Sequence, residues 1–299
     1  MDINLIGVPI FYGCDKEGPQ FGPDKLREKN IVSVLKKHNH KVYDLGNIHV
    51  PKVSVKDKFS YHSNMKYLKP IVTANTNLAH VVNMSIKNNN FPLIIGGDHS
   101  IGLGSISGVS SSYKNIGVIW LDAHADINTH ETSPSGNVHG MPLGASMGIG
   151  HEDLTNLYYG EAKVRPENVF ILGARDIDSG EIDLIKEKNI NVYSPKEIRE
   201  IGIENLVNSI LDKLKANDVD AIHLSFDMDF IDSSYVPGTG TPVSNGFNVD
   251  ETKLLLRKLV QTDMIKSMDF VELNTLLDEG DRTSDLAIEI LDSVFECIK

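Results

Sequence analysis

The hydrophobic positions of the chain fall into short apolar runs separated by longer amphipathic stretches. Short apolar runs bounded by Gly, Asp or Asn are typical of buried strands, whereas apolar residues recurring every three to four positions, roughly one helical turn, indicate helices. Helices are predicted over residues 23–37 and 68–87 and from near Asp281 to the end of the chain. The predicted strands are NLIGVPI, KVYDLG, PLIIGG, NIGVIWLDA, NVFILGA, DAIHLSFD and MIKSMDFVEL.

This alternation of strands and helices predicts an α/β fold in which helices cover a mostly parallel sheet. No Pro-, Gly- or Ser-rich stretch interrupts the hydrophobic pattern, and the chain contains no internal repeat. We therefore expect one domain spanning residues 1–299.

Polar residues follow five of the predicted strands directly. In a parallel sheet the loops that leave the carboxyl ends of the strands converge over one edge, where ligands bind. We therefore expect these polar groups to meet at one rim. They are His99 after PLII, Asp122 to Asp126 after GVIWL, Arg175 to Asp178 after VFILG, Asp227 and Asp229 after IHLSF, and Glu272 after SMDFV.

Two of these segments have the spacing of metal ligands. Asp122, His124 and Asp126 are two residues apart, so an extended segment would turn all three to one face. Asp227 and Asp229 repeat the spacing. With the imidazole of His99, the set contains four carboxylates and two imidazoles.

Four neighbouring buried carboxylates are costly unless cations neutralise them or their pKa values rise. Two divalent cations would balance the four negative charges. Oxygen and imidazole ligands without a thiolate favour Mn over structural Zn, with Co, Ni and Fe as alternatives. A metal pair lowers the pKa of water and stabilises developing charge, which predicts hydrolysis without an organic cofactor.

Charge and composition exclude several other classes of function. The chain has 41 acidic and 29 basic residues, a formal net charge of -12 that disfavours nucleic acid and anionic membranes as partners. No apolar run is long enough to cross a bilayer, and no basic region precedes the first apolar run as in a secretory signal. The two cysteines form no disulfide or zinc pattern, so a cytoplasmic location is expected.

Six motifs together resemble the ureohydrolase family, which includes arginases and agmatinases. The resemblance extends from the first strand to the last helix and implies a three-layer α/β/α fold with two Mn²⁺ ions per chain. It also implies a homotrimer or homohexamer. The motifs are GGDHS (96–100), DAHADINT (122–129), SGNVHG (135–140), SFDMD (225–229), GTGTPV (238–243) and VELN (271–274).

The resemblance also implies the metal ligands and the reaction. A metal-bridging hydroxide, oriented by Asp126, would attack the guanidinium carbon of L-arginine and release urea and L-ornithine. One manganese would be held by His99, Asp122, Asp126 and Asp227, and the other by Asp122, His124, Asp227 and Asp229.

The same resemblance implies roles for three further residues around the guanidinium group. Glu272 would pair with this planar cation, which suits charge-assisted hydrogen bonds to a carboxylate, and Thr241 would orient Glu272. His139, whose imidazole titrates near neutral pH, would carry a proton to the leaving amine or to solvent.

Arginases differ from their relatives in how they bind the end of the substrate opposite the guanidinium group, called the far end below. The segment INTHETSPSGNVHGMPL resembles the arginase version, in which Asn128 and Ser135 would bind the α-carboxylate with help from Asn137. In the loop from Gly173 to Glu181, Asp178 is the main candidate for the α-ammonium group and Glu181 the second.

Other functions remain open at this point. An agmatinase or guanidinobutyrase would need the metals and Glu272 but different contacts at the far end, and a non-catalytic metal-stabilised oligomer is a second alternative. One departure from the family pattern is Phe230, which follows Asp229 where a small residue is usual. Strand alternation predicts that its side chain points away from the metals.

Overall fold

One sheet forms the centre of the molecule. The computed structural model describes residues 1–298, so Lys299, the last residue of the predicted domain, lies outside the described residues. The strands of the described chain are Asp2–Val8 (β1), Lys41–Asn47 (β2), Phe91–Gly96 (β3), Ile116–Leu121 (β4), Val169–Leu172 (β5), Asn191–Tyr193 (β6), Ala221–Asp227 (β7) and Ile265–Val271 (β8).

The strand order places the predicted functional strand ends side by side. The sheet has eight strands in the order β2-β1-β3-β8-β7-β4-β5-β6, and every described pairing is parallel. The five strands predicted to carry polar residues at their ends, β3, β8, β7, β4 and β5, are consecutive neighbours in this order. Their carboxyl ends therefore form one continuous edge.

Helices connect the strands and confirm two sequence predictions closely, since residues 68–87 form one helix and the last helix begins at Arg282. The helices are Gly22–Glu28 (α1), Ile31–Lys36 (α2), Leu68–Lys87 (α3), Gly102–Ser110 (α4), Pro142–Ser146 (α5), Glu152–Thr155 (α6), Ser179–Lys188 (α7), Pro195–Ile201 (α8), Ile203–Ala216 (α9), Val249–Val260 (α10) and Arg282–Cys297 (α11). Over residues 1–298, no helix is both long and apolar enough to span a membrane.

Alternate residues of the central strands pack into two separate hydrophobic cores. In β4, Ile119 and Leu121 join the core beneath α1, α2 and α8 to α11, whereas Val118 and Trp120 join the core beneath α3 to α6. A parallel sheet buried on both faces needs helices on both sides. The predicted three-layer α/β/α arrangement is therefore confirmed.

Two sequence predictions about the elements were wrong or incomplete. The predicted helix over residues 23–37 is two helices, because Asn30 adopts a left-handed conformation with φ of 60°. Asparagine tolerates that conformation better than most residues. Strand β6 was not predicted, since its three residues lie at the sheet edge, are only half-buried and show no long apolar run.

Candidate active site

The first predicted metal-binding motif, Asp122 to Asp126, converges by a turn rather than by strand alternation. Strand β4 ends at Leu121, and Asp122 Oδ1 then accepts the backbone N–H of His124 at 2.7 Å. Asp126 has a φ of 54°, which non-glycine residues rarely adopt. The extended geometry predicted for Asp122 to Asp126 is therefore wrong, although the side chains still converge.

The second motif also turns. Asp227 is the last residue of β7, and its Oδ1 accepts the backbone N–H of Asp229 at 2.8 Å within a short 3₁₀ helix, Met228–Phe230. Asp229 is thereby directed toward the β4 loop, where its Oδ1 accepts the N–H of Ala123 at 3.1 Å. The first aspartate of each motif thus helps to shape the loop that follows it.

Three carboxylates surround one buried imidazole nitrogen. His99 Nδ1 lies 2.9 Å from Asp122 Oδ2, 3.1 Å from Asp227 Oδ2 and 3.2 Å from Asp126 Oδ2. The same nitrogen has no hydrogen-bond partner of acceptable geometry. On the other side of the ring, Nε2 lies 2.8 Å from Ser225 Oγ. A proton on Nε2 would leave the lone pair of Nδ1 free to bind a metal ion.

A second cluster shares Asp122 with the first. His124 Nδ1 lies 3.1 Å from Asp229 Oδ2 and 3.3 Å from Asp122 Oδ1. The closest ligand groups are therefore His99, Asp122 and Asp227 on one side and Asp122, His124 and Asp229 on the other. Two overlapping clusters that share a carboxylate fit a binuclear metal site.

The electrostatics of the clustered carboxylates favour a cation. Burial, with the neighbouring charge of Asp122, raises the pKa of Asp126 to about 6. Burial also raises the pKa of Asp227 well above its usual value, aided by the charges of Asp229 and Asp122. Bound cations would remove this penalty, because they favour the ionised form of each ligand.

Three supporting residues were not identified from the sequence. Ser225 contacts His99 as described, and Trp120 stacks on the His99 ring with centroids 3.9 Å apart. Trp120 Nε1 also donates to Asp122 Oδ2 at 3.1 Å. Asp176 lines the cavity, with Oδ2 3.8 Å from His124 Nε2. For Ser225 and Trp120 a signal existed, because each precedes a predicted aspartate ligand by two positions in the chain.

Glu272 lies behind His139 and is almost completely buried, with 1 % of its surface exposed. Its Oε1 accepts the backbone N–H of His99 at 2.9 Å and lies 3.1 Å from His139 Nδ1, whereas Oε2 is buried without a partner. Its φ of 62° is strained for a non-glycine residue, and such strain is concentrated at functional sites. Burial alone lowers the pKa of His139, but the hydrogen bond and charge of Glu272 raise it to about 9.

Thr241 does not orient Glu272 as expected from the sequence. Its hydroxyl donates to Asp229 Oδ2 at 3.0 Å, so it supports a predicted metal ligand instead. Glu272 is held by His99 and His139.

An open cavity of about 190 Å³ leads to the clusters. His99, Asp229 and Glu272 lie deeper and do not line it. The predicted site residues that line it are Asp122, His124, Asp126, Asn128, Ser135, Asn137, His139, Asp178, Glu181, Asp227 and Thr241.

The residues predicted for the far end of the substrate make contacts within the protein. Asn128 Nδ2 donates to Asp178 Oδ2 at 2.9 Å. Glu181 accepts the N–H of Ile127 with one oxygen and that of Asp178 with the other, both at 3.0 Å. Asp178 is exposed, whereas Glu181 is buried with both oxygens in use. Asp178 is therefore better placed than Glu181 to meet a ligand.

Phe230 points away from the metal clusters, as predicted, but because of the 3₁₀ turn rather than strand alternation. The ring is fully buried and stacks on Phe247 with centroids 4.6 Å apart. Gly173, with a φ of 93°, makes room for it, since a Cβ there would lie 2.6 Å from the ring. The large side chain of Phe230 is thus packed in the hydrophobic core.

Comparison with known proteins agrees with this geometry. The model of the family described as "Arginase family" matches residues 1–296. The chain belongs to the arginase family. It is 41% identical to an arginase of Bacillus subtilis over 292 residues, 98% of this chain and 97% of the relative.

Solved structures agree as well. The arginase of Bacillus caldovelox matches with a TM-score of 0.92 at 39% identity, covering 98% of both chains. An Entamoeba histolytica arginase in complex with L-ornithine matches with a TM-score of 0.90 at 33% identity, covering 98% of both chains. These relationships support a hydrolase with arginase activity and a small-molecule substrate.

Proposed function

We propose that the chain hydrolyses L-arginine to L-ornithine and urea with two Mn²⁺ ions. The observation that carries this proposal is the pair of overlapping clusters that share Asp122, beneath a cavity with acidic residues at its far end. The proposed ligands of one ion are His99, Asp122, Asp126 and Asp227, and those of the other are Asp122, His124, Asp227 and Asp229.

The residues present fit a metal pair. The unpartnered Nδ1 of buried His99 faces three carboxylate oxygens, and four aspartates offer four negative charges. Hard oxygen ligands with two imidazoles suit Mn²⁺. When bound, the ions would lower the pKa of water and stabilise charge that develops on the substrate.

Glu272 and His139 are the residues that we propose act on the guanidinium group. The unpartnered Oε2 of Glu272 is a buried acceptor, and a guanidinium N–H is a donor on a group of opposite charge. Asp126 accepts a hydrogen bond from the water that attacks the guanidinium carbon. The bond from that carbon to the alkyl-bearing nitrogen breaks, and His139 delivers a proton to this nitrogen, which leaves as the amine of ornithine. The attacking water gives up its two protons as its oxygen becomes the urea oxygen; one restores the proton of His139 and the other passes to solvent.

At the other end of the cavity, we propose that Asn128, Ser135 and Asn137 bind the α-carboxylate and Asp178 binds the α-ammonium group. The hydroxyl of Ser135 accepts the N–H of Asn137 at 3.1 Å, so its proton remains available for a carboxylate. Glu181 positions Asp178 through its backbone. The related Entamoeba histolytica arginase in complex with L-ornithine, an α-amino acid, agrees with this choice.

The direct test is urea release by the protein after chelator treatment and reloading with Mn²⁺. We expect two Mn²⁺ per chain by metal analysis and much faster hydrolysis of L-arginine than of agmatine or 4-guanidinobutyrate. Preference for agmatine would overturn the assignment of the far-end residues. No urea from any of the three would overturn the proposed function.

The Asp178→Ala variant tests recognition of the α-ammonium group. Arginine and agmatine both carry this ammonium, whereas 5-guanidinopentanoate keeps the carboxylate and lacks it. We expect KM to rise about tenfold or more for arginine and agmatine, because the variant loses roughly one charge-assisted hydrogen bond to their ammonium group. KM for 5-guanidinopentanoate should change little. Steady-state kinetics with the three substrates provide the measurement.

Asp178 is also the first residue before α7, where the loss of a helix cap costs stability. Ser194→Ala is the control for helix stability, because Ser194 is the N-cap residue of α8 and does not line the cavity. An equal loss with all three substrates would show that Asp178 has only a structural role.

We also propose that the chain is a single ureohydrolase domain that works in the cytoplasm as a homotrimer or homohexamer. The family resemblance and the continuous family match over residues 1–296 support this proposal. Light scattering should give a particle of about three or six times the 33.0 kDa chain; a monomer would contradict it.

A further inference from the structure

The cavity presents an electrostatic problem for an amino-acid substrate. Its lining contains six acidic residues and two histidines, and no lysine or arginine of residues 1–298 lines it. Metal ions would neutralise the ligands, but the exposed carboxylates of Asp176 and Asp178 would still repel an α-carboxylate. A cation near the far end of the cavity would therefore favour binding of the carboxylate.

Lys66 lies directly behind the cavity wall. Its Nζ donates to Asn137 Oδ1 at 2.7 Å, and its backbone N–H donates to Gly136 O at 2.9 Å. The loop is pressed closely against this segment, because a Cβ at Gly136 would lie 2.9 Å from the backbone oxygen of Asn64. The side chain of Lys66 is 17% exposed, so its charge is only partly screened by water.

A small charge cluster holds the ammonium group in place. Asp15 Oδ2 lies 3.0 Å from Lys66 Nζ and 2.8 Å from Lys58 Nζ. Two lysines share one carboxylate, so the cluster carries one net positive charge beside Asn137. The carboxylate positions Lys66 without cancelling the whole of the local positive charge.

The amide of Asn137 links this charge to the cavity. Its oxygen accepts from Lys66, and its Nδ2 donates to the backbone oxygen of Cys14 at 3.1 Å, which leaves one N–H for a ligand. A cation on the oxygen polarises the amide and strengthens the remaining N–H as a donor.

We propose that Lys66 is the positioning residue that makes this cavity select substrates with an α-carboxylate. It acts through Asn137, which it orients and polarises, and through its own charge. This inference rests on the proposed function and adds a determinant of arginine over agmatine, because these two guanidines differ only in the α-carboxylate.

The test compares Lys66→Met, Lys66→Arg and wild-type protein, each loaded with Mn²⁺. For Lys66→Met we expect KM for L-arginine to rise about tenfold while kcat stays within about twofold, and kcat/KM for agmatine to stay unchanged. Lys66→Arg should recover most of the loss. Lys69→Met is the matched control, since Lys69 is an exposed lysine on α3 whose ammonium lies over the ring of Tyr61.

Ligand binding provides a readout that is independent of turnover. L-Ornithine and putrescine differ only by the α-carboxylate, and calorimetry should show weaker binding of ornithine alone in Lys66→Met. Unchanged preference for arginine, or an equal loss with arginine and agmatine, would overturn the inference. If wild-type protein releases no urea from arginine, the proposed function itself fails, a result separate from any effect of Lys66.

Discussion

Replacing Asp122 with asparagine should reduce urea release from L-arginine by about a thousandfold or more, equivalent to about 4 kcal/mol of transition-state stabilisation. Asp122 belongs to both ligand clusters, with Oδ2 2.9 Å from His99 Nδ1 and Oδ1 3.3 Å from His124 Nδ1. Asparagine keeps the shape of the side chain but removes one of the four negative charges proposed to hold the two ions. Steady-state kinetics at saturating Mn²⁺ measure the loss.

Metal content separates this effect from misfolding. The Asp122→Asn variant should bind fewer than two ions per chain and should lose most of the Mn²⁺-dependent increase in melting temperature. Asp183→Asn, the same change at an exposed position of α7, serves as the control. Full metal content together with activity within tenfold of wild type would contradict a shared ligand at Asp122.

Replacing Glu272 with glutamine is expected to lower kcat/KM for L-arginine by a factor of about 100 to 1000, because the guanidinium cation loses a buried anionic partner worth roughly 3 to 4 kcal/mol. The variant keeps an acceptor for the N–H of His99 but loses the negative charge. The two clusters do not include Glu272, so the metal content of the Glu272→Gln variant should remain that of wild type.

The same variant should change the pH dependence of the reaction. The carboxylate of Glu272 raises the pKa of His139 to about 9 against the opposing effect of burial. Without that charge, the pKa of His139 falls, and the protonated form is lost at lower pH. The alkaline limb of the kcat profile should therefore move toward neutral pH.

Glu200→Gln, at an exposed position of α8, is the control for the Glu272 variant. A loss of less than tenfold with an unchanged pH profile would exclude the proposed pairing with the guanidinium group. A loss of metal would assign Glu272 to the metal centre instead.

Hydrophobic pattern alone predicted seven of the eight described strands, because a strand buried on both faces must be apolar along its whole length. All the predicted strands are present, and α3 begins and ends where its pattern does. The pattern did not reveal β6, whose three half-buried residues carry too little apolar signal. It also did not reveal the break at Asn30, whose left-handed backbone conformation separates α1 from α2.

The chain order of polar residues was enough to place the candidate site. Each polar group follows an apolar run, and parallel strands bring those groups to one edge. Spacing did not predict how they converge, however. Asp126 and Glu272 depend on left-handed backbone conformations, and Asp229 depends on a 3₁₀ turn, which a pattern of residue types does not encode.

The sequence by itself thus determined the fold class, the family and the identity of the candidate metal and guanidinium residues, because these depend on residue type and order along the chain. Only the tertiary structure decided which partner each side chain has. Thr241 hydrogen-bonds to Asp229 rather than to Glu272. Both carboxylate oxygens of Glu181 accept backbone N–H groups, and Lys66 donates to Asn137. Lys66 and Asn137 are 71 residues apart in the chain, so packing rather than local sequence establishes their contact.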